Sequence, residues 1–560
     1  MKHHLLPITI ISLVALLSLN SEAAKVDSPF GFHPASAVKT GYASNGFIDA
    51  EYIGVKWHRP TVYAAWNLVQ KSLTDTTLDF SMYDQSYRRV PEGINILGNI
   101  TVSLGNDSYQ IPGSYFPVDS VQYKRFVTKL VERYDGDGKD DMPGLVNPVR
   151  YWQVGNEPTF IIKDFAELMK ITYLAAKVAD SSVQMMIGGV SSFPSDYIQR
   201  FNKTWQPILS TLGGKYIDIM DFHWYGTAGG EYRFIDTKTG QDAYNRIRQL
   251  MDSCGYDSKL PVWVTEMGSY SGDPKDITMF GLVPLQTEAQ QALDYLKRHV
   301  YSFARGVKKI FPAFGLMEGF KQDDGYFDHT GLIYDGALTS DLGLGVKKLG
   351  YYSYKLMTEK LEGVDLEKVV SISDGSTDNI HTYRFVKSGG TYVYVAWWDY
   401  FLEDGFQEGD KKTLSLDSLN AQQIVRTVAV PGVATGNEVT AYETAFLTDT
   451  NSLESGKFTF ELSTQPVFLE PHGTLPLLQN NFSVSRQVKT SFGLGQVTLE
   501  SLTKSGISKV SIYSPDGRLL FLKKYDHQQK IVLNTGTLEP GILLVTVKMG
   551  DIQQLFKLAH

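Results

Sequence analysis

Two glutamates stand where short apolar runs end. Glu157 follows the run VRYWQV within the segment Gly-Asn-Glu-Pro, and Glu266 follows the run PVWVT. Both runs are typical of buried β-strands. Two carboxylates that face each other across a pocket can hydrolyse a glycosidic bond, because one donates a proton to the leaving oxygen while the other attacks the anomeric carbon or activates water. Repulsion between the two like charges would keep the acid protonated near neutral pH.

Other polar and aromatic residues follow neighbouring runs. Arg59 ends the run YIGVKWH, and His223, Trp224 and Tyr225 end the run IDIMDF. We expect Arg59 to keep one carboxylate ionised, Asn156 to hydrogen-bond a sugar hydroxyl, and Tyr225 to hold the nucleophile in place. Trp224 would stack on a pyranose face, and His223 is expected to line the pocket rather than to act in catalysis.

Eight apolar runs alternate with amphipathic helical patterns between residues 30 and 362. The runs are 30–33, 52–60, 94–102, 149–157, 183–192, 217–226, 261–269 and 307–316. Helical spacing is clear over 123–134 and over 289–303, where Thr287 and Gln290 form a capping box. The alternation predicts a (β/α)8 TIM barrel whose fourth and seventh strands end in the two glutamates. The alternative is a doubly wound sheet, whose usual Gly-rich first turn is absent here.

Shorter β-patterned runs separated by Gly, Asn and Pro turns follow the barrel region. They predict a β-sandwich over residues 363–475. A second set, including KVSIYSPDGRLLF and LEPGILLVTVKMGDIQQLFKL, predicts a small all-β domain over 476–560 with hairpin turns at Pro515-Asp516-Gly517 and Met549-Gly550-Asp551.

The N-terminus reads as a signal peptide. A basic start precedes an apolar run over 5–19, and Ser21-Glu22-Ala23 offers a cleavage site, so we expect residues 1–23 to be removed. No other stretch is long and apolar enough to predict a membrane span. A net charge of −8 without basic blocks argues against nucleic-acid binding. The single cysteine, Cys254, allows no internal disulfide in an exported protein.

The segments VGNEP and WVTEMG resemble the acid/base and nucleophile motifs of the clan A retaining glycoside hydrolases. Arg59 and the run HWYG match strand-end positions of that clan. Over about residues 30–475 the resemblance implies a (β/α)8 barrel with a β-sandwich behind it, Glu157 as general acid/base, Glu266 as nucleophile, a carbohydrate substrate, and no cofactor or metal. One feature departs from the clan: the eighth run, FPAFGL, lacks the expected Trp, which leaves Phe314 or Met317 to replace it.

The last 80 or so residues resemble the sorting domain of the type IX secretion system of Bacteroidetes-type bacteria. VSIYSPDGRLL, LEPGILLVTV and the ending FKLAH carry this resemblance. It implies a secreted or cell-surface protein that engages the secretion machinery through its C-terminal domain.

Two alternatives to a hydrolase remain open. A non-catalytic glycan-binding surface protein could use an inactive barrel, although such proteins usually lose a catalytic carboxylate. Transglycosylation would use the same two glutamates with another acceptor. The acidic segment DGDGKDD over 135–141 fails the EF-hand pattern, which leaves a solvated loop or a calcium site of another kind.

Overall fold

The computed structural model describes residues 27–560 with internal gaps. The gaps are residues 106, 159–161, 191–195, 227–230, 276–282, 389, 455, 474–487, 494–495, 503, 515–518, 536–541, 551 and 560. The predicted signal peptide and the turn at Pro515-Asp516-Gly517 lie outside the described residues, as does Asp551 of the second predicted turn. The chain divides into two compact units, Met1–His472 and Gly473–His560. The domain bounds at 362/363 and 475/476 stay predictions.

The first unit contains two parallel sheets. Their strands are β1 (Gly31–Phe32), β2 (Trp57–His58), β3 (Ala64–Ala65), β4 (Asn95–Thr101), β5 (Tyr151–Val154), β6 (Gln184–Met186), β7 (Met220–Trp224), β8 (Val262–Met267) and β9 (Val307–Pro312). One sheet runs β1-β2-β4-β5-β6, with β3 also pairing with β4, and the other runs β7-β8-β9. Each of the eight predicted runs contains one of these strands. Only β3 was not predicted.

Isolated parallel bridges join the two sheets at both of their outer strands. They are Phe30 to Ile310, His33 to Ala313, Met186 to Ile219, and Val190 to Phe222. A doubly wound sheet leaves its two outer strands unpaired, so these bridges argue against that alternative.

Side chains from opposite strands meet in one apolar cluster inside the parallel strands. Its buried members are Trp57, Leu97, Met186, Ile219, Trp263 and Phe311. A cavity of about 630 Å³ lies at these amino-terminal strand ends, where Tyr151 and Trp263 help to line it. The glutamates lie at the opposite, carboxyl-terminal ends.

Helices connect the parallel strands. They are α1 (Ile48–Tyr52), α2 (Trp66–Val69), α3 (Ser81–Arg88), α4 (Ser120–Tyr134), α5 (Ile162–Ala179), α6 (Tyr197–Arg200), α7 (Gln206–Leu212), α8 (Ala243–Ser253), α9 (Glu288–Ala304) and α10 (Leu349–Leu361), with a π-helical turn at Phe201–Trp205. The predicted capping box of α9 is confirmed, with both the Thr287 and Gln290 side chains bonded to backbone amides. Among the helices of the described residues, none is both long and apolar enough to cross a bilayer.

Antiparallel sheets follow α10. Their strands are β10 (Val370–Asp374), β11 (Ile380–Val386), β12 (Tyr392–Trp398), β13 (Lys412–Leu416), β14 (Gln423–Val428), β15 (Thr448–Ser452), β16 (Phe458–Leu462) and β17 (Val467–His472). Six form a sheet in the order β10-β11-β12-β17-β14-β15, and β13 pairs with β16. Because side chains alternate along β12, Val395 and Trp397 join the core of the parallel region, while Ala396 and Trp398 pack with β13 and β16.

The second unit is also antiparallel. Its strands are β18 (Val488–Gly493), β19 (Gln496–Ser501), β20 (Ile507–Tyr513), β21 (Leu519–Gln528), β22 (Lys530–Asn534), β23 (Ile542–Met549) and β24 (Ile552–Ala559). They form a three-stranded sheet, β18-β19-β22, and a four-stranded sheet, β21-β20-β23-β24. These sheets share an apolar core that includes Leu499, Val510 and Val545.

Candidate active site

Glu266 points into the space enclosed by the parallel strands because β8 carries a bulge. The register pairs Phe222 with Val264 but His223 with Glu266, so Thr265 is an extra residue on β8. The bulge puts two consecutive side chains on the same side. Thr265 Oγ1 donates to Asp221, and Glu266 accepts from Arg59 and Tyr225. Bulges commonly redirect a side chain at a functional site.

The two carboxylate oxygens of Glu266 have different partners. Oε1 accepts from Arg59 Nη1 at 2.7 Å, and Oε2 accepts from the Tyr225 hydroxyl at 2.7 Å. Glu266 is only 2% exposed, and Arg59 is fully buried. Burial and the neighbouring Glu266 raise the pKa of Tyr225 well above its ordinary value, so the phenol keeps its proton and donates it. A buried carboxylate held in this way has the fixed orientation that nucleophilic attack requires.

Glu157 lies beyond the end of β5 in the left-handed region, with φ of 50°. Its backbone N–H donates to the Gly188 carbonyl at 2.8 Å, which fixes the turn. Its side chain is 27% exposed, in contrast to the buried Glu266. Non-glycine residues in this backbone region cluster at functional sites. Glu157 is thus the carboxylate that solvent can reach.

His223 connects the two carboxylates. Its Nδ1 lies 2.6 Å from Glu157 Oε1 and 3.4 Å from Glu266 Oε2. Burial alone lowers the pKa of His223, but Glu266 and Glu157 outweigh burial and raise it above its ordinary value. Its Nε2 is buried, has no hydrogen-bond partner among the residues that the structure describes, and lies against Gly189. His223, which was predicted to line the pocket, therefore contacts both glutamates directly.

Arg59 uses all of its nitrogens. Nε donates to Gln153 at 2.9 Å, and Nη2 donates to the Asn156 side chain at 2.7 Å and to the Tyr63 hydroxyl at 3.4 Å. Although burial opposes its charge, Tyr63 and Glu266 raise the pKa of the guanidinium. Arg59 thereby bridges Glu266 and Asn156, and Asn156 is the residue before Glu157.

Buried polar side chains lie beneath Arg59. Gln153 donates to Asp221 at 2.7 Å and accepts from Asn99 at 3.1 Å, and Thr265 donates to Asp221 at 2.9 Å. Asp221 also accepts from the Gly188 amide at 3.1 Å. These hydrogen bonds restrain Arg59 and Thr265, which lie next to Glu266, so the buried layer helps to position the site.

His33 borders Glu266 on the side of β9, and Phe314 packs against His33. His33 Nδ1 donates to the Arg59 carbonyl at 2.7 Å, and its Nε2 lies 3.7 Å from Glu266 Oε1. Burial and the charge of Arg59 hold the pKa of His33 well below its ordinary value, so the ring is neutral. The Phe314 ring lies 5.0 Å from His33 and stacks on the exposed Phe320. Met317 belongs to the apolar core instead.

Trp224 does not join the other predicted site residues. Its ring is 2% exposed and stacks on Tyr197 at 3.7 Å, and its indole N–H donates to the Glu231 carbonyl. Successive residues of a strand point to opposite faces, so His223 and Tyr225 face the glutamates while Trp224 faces away. This placement argues against the predicted stacking role of Trp224. The fold brings together the other six predicted site residues, which are Glu157, Glu266, Arg59, Asn156, His223 and Tyr225.

Several site residues were missed in the sequence. His33 follows an apolar segment, as Arg59 does, and that position is its only signal, whereas Tyr63 follows Pro60-Thr61-Val62 and carries no such signal. Gln153 and Asp221 are polar residues inside otherwise apolar runs. Polar residues in a buried strand need partners, and this need is the signal that could have identified them.

Two sets of potential metal ligands occur among the described residues. Ligand atoms of Glu157, His223 and Glu266 lie within 4.8 Å of one another, as do those of Asp135, Asp137 and Asp141. In the first set, Arg59 already supplies a positive charge to Glu266. In the second, carboxylates accept backbone N–H groups of their own loop, for example Gly136 and Gly138 on Asp141.

The fold is similar to those of known glycoside hydrolases. A family 39 glycoside hydrolase from the gut symbiont Bacteroides cellulosilyticus WH2 matches with a TM-score of 0.53 and 17% identity over 76% of each chain. A glucosidase from Croceicoccus marinus matches with a TM-score of 0.51 and 14% identity over 80% of this chain and 96% of that one. No protein-family model and no curated sequence matches the chain. At these identities the likeness concerns the fold.

Proposed function

We propose that the chain is a retaining glycoside hydrolase in which Glu157 is the general acid/base and Glu266 is the nucleophile. The eight bridged parallel strands would form its (β/α)8 barrel, with the glutamates at the carboxyl-terminal ends of the fourth and seventh predicted runs. The substrate would be a poly- or oligosaccharide.

One observation carries this proposal. One side-chain ligand atom from each of Glu157, His223 and Glu266 lies within 4.8 Å of the other two, while Glu266 is buried and held by Arg59 and Tyr225. Retaining enzymes keep their carboxyl groups about 5–5.5 Å apart, whereas inverting enzymes leave about 6.5–9.5 Å for a water molecule. The close approach of one oxygen from each carboxylate supports double displacement.

The roles follow from exposure. In the first step, the carboxylate of Glu266 attacks the anomeric carbon, the glycosidic C–O bond breaks, and Glu157 gives its proton to the leaving oxygen. In the second step, Glu157 takes a proton from a water molecule that attacks the same carbon, and Glu266 leaves as a carboxylate. Glu157 is the more exposed group, as the exchange of leaving group and water requires.

Azide rescue tests the assignment. A panel of aryl glycosides first identifies a substrate. In Glu266→Gly the covalent intermediate cannot form, and azide in the vacated space should yield the glycosyl azide of inverted configuration. In Glu157→Ala a good leaving group needs little acid help, so azide should accelerate breakdown of the intermediate with retained configuration.

Other results would contradict specific parts of the proposal. Exchanged stereochemistry would exchange the two roles, and an inverted wild-type product would exclude the retaining mechanism. If the wild-type protein binds glycans but turns over none of the panel, the non-catalytic glycan-binding alternative is favoured.

We also propose that the protein is exported and that the Gly473–His560 unit serves secretion. The supporting features are the signal-peptide pattern and the sorting-domain resemblance of the final strands. A chain ending at His472 should hydrolyse soluble substrate as fast as the full chain, because the unit boundary falls there. In a bacterium with type IX secretion, that shorter chain should stay inside the cell. A large loss of activity, or unchanged export, would contradict the proposal.

A further inference from the structure

A cavity of about 210 Å³ lies apart from the two glutamates. Four parts of the chain line it: Tyr232 between β7 and α8, residues 284–286 after β8, one face of α9, and the turn that begins at Tyr400 after β12. The helix contributes Gln290, Leu293 and Lys297, which are spaced three or four residues apart and so share a face. None of the candidate-site residues described above lines this cavity.

Buried polar side chains form a hydrogen-bonded network at this cavity. Asp399 accepts from the Tyr232 hydroxyl at 2.6 Å and from Lys297 Nζ at 3.2 Å, and Trp397 donates to the same hydroxyl at 3.0 Å. Asp399 and Lys297 are buried. On the helix, Asp294 accepts from Arg298 at 2.7 Å. The charged groups at the cavity are therefore paired, and an ion would meet no unbalanced charge.

The rim combines apolar side chains with one amide that reaches solvent. Leu285 is 67% exposed and Phe401 is 36% exposed, and both line the cavity. Gln290 adds an exposed amide whose oxygen accepts from the Thr287 backbone, whereas the Gln286 side chain is buried. Exposed apolar side chains beside an amide donor suit a ligand that has apolar faces and hydroxyl edges.

We propose that this cavity is a second carbohydrate-binding site that holds a single neutral sugar ring. Its volume is below the roughly 300–1,000 Å³ of pockets for drug-sized ligands, which limits the bound part to about one ring. Phe401 would cover one face of the ring, and the exposed amide of Gln290 would bond its hydroxyls. The choice of a saccharide rests on the proposed function, whereas the cavity itself does not. Such a site would hold a glycan chain while the glutamates act on it.

Saturation-transfer NMR on the full-length protein tests this inference. The probes are glucose, galactose, xylose, arabinose and rhamnose, with glucuronate as a charged comparison. At least one neutral sugar should bind, and Phe401→Ala should weaken its binding about fivefold, since stacking on an aromatic ring contributes on the order of 1 kcal/mol. Leu402→Ala is the matched control, because Leu402 belongs to the same turn and is 42% exposed but does not line the cavity.

The outcomes separate the two proposals. If no sugar binding depends on Phe401, or if Leu402→Ala weakens binding equally, the second site is excluded. If Phe401-dependent binding persists in Glu266→Gln, the site is independent of catalysis. If Glu157 and Glu266 variants stay active while Phe401 matters, only the catalytic proposal fails.

Discussion

Glu266 is a buried carboxylate, and each of its oxygens accepts a hydrogen bond. The Arg59 guanidinium bonds one oxygen and balances the charge, and the Tyr225 phenol bonds the other. The phenol is neutral, so it can hold the carboxylate in orientation without adding a second positive charge. A hydrogen bond to a charged group contributes about 1.5–3 kcal/mol. The contribution of Tyr225 can therefore be measured by removing one oxygen atom.

We expect Tyr225→Phe to lower kcat/KM on an aryl glycoside by about one to two orders of magnitude, because Glu266 loses its Oε2 partner. Tyr326→Phe is the control. The Tyr326 hydroxyl is also buried and donates at 2.8 Å, but to the Gly226 carbonyl. Equal losses of kcat/KM in the two variants would show that the Tyr225 hydroxyl supports the fold rather than the Glu266 carboxylate.

His223 makes stability depend on pH. Glu266 and Glu157 outweigh the effect of burial and raise the pKa of His223 above its ordinary value of 6.5. The folded protein thus binds the proton more tightly than the unfolded chain. This stabilisation is complete below pH 6.5 and is lost as pH rises through the higher folded-state pKa.

The free energy of unfolding should reveal this loss. Wild type should exceed His223→Gln by more at about pH 6 than at about pH 9, since glutamine does not titrate. Urea denaturation at the two pH values measures both differences. A gap that is constant, or that widens with pH, would mean that folding does not raise the pKa of His223.

At the scale of elements, strand ends bring the site residues together, and backbone irregularities aim them. The bulge at Thr265 turns Glu266 inward, and the positive φ of Glu157 turns that side chain toward His223. After β6, Gly189 has φ of 53°, and a Cβ there would lie 2.4 Å from His223 Nε2. The absence of a side chain at this strand end makes room for the imidazole.

Gly189→Ala should displace His223 and reduce activity by at least about tenfold, a loss of roughly 1.4 kcal/mol in transition-state stabilisation. Gly213→Ala is the control because its φ is 56°, yet nothing lies within 4 Å of the added Cβ. Both variants should lose about 1–2 kcal/mol of stability from the left-handed backbone. Thermal melts and kcat/KM values of the two proteins test this expectation, which fails if their activities are equal.

At the scale of the whole molecule, the antiparallel sheet is joined to the parallel region by both apolar and polar contacts. Trp397 and Phe468 belong to the same core as the parallel strands. Asp399 connects β12 to Lys297 of α9 and to Tyr232 of the β7–α8 connection. Deleting everything after α10 would expose this core and leave Lys297 buried without its partner, so we expect insoluble protein.

Asp399→Asn tests the polar part alone. Because Lys297 is buried, removal of its counter-charge should cost about 3–5 kcal/mol in the free energy of unfolding. Asp449→Asn breaks a more exposed pair with Arg426 and should cost about 1 kcal/mol or less. Urea unfolding of both variants gives the comparison, and similar costs would argue that the buried pair does not hold the sheet in place.

From the sequence alone, the eight parallel runs, the helices over 123–134 and 289–303 and the strand-end positions of the two glutamates could be predicted. The spacing of apolar residues and the capping of helices are local properties, so both can be recognised in the sequence before the fold is known. All eight predicted parallel runs contain strands, and the α9 capping box is present. The segments Gly-Asn-Glu-Pro and Thr-Glu-Met-Gly placed carboxylates at two strand ends.

The tertiary structure decided which side chains meet. Arg59 and Glu266 are 207 residues apart, and Gln153 and Asp221 are 68 apart, so no local pattern relates them. Trp224 faces away from the glutamates because its neighbours face toward them, whereas Thr265 and Glu266 share a side because β8 bulges between them. A one-residue shift in strand register reverses which face a side chain occupies, and only the packed strands set that register.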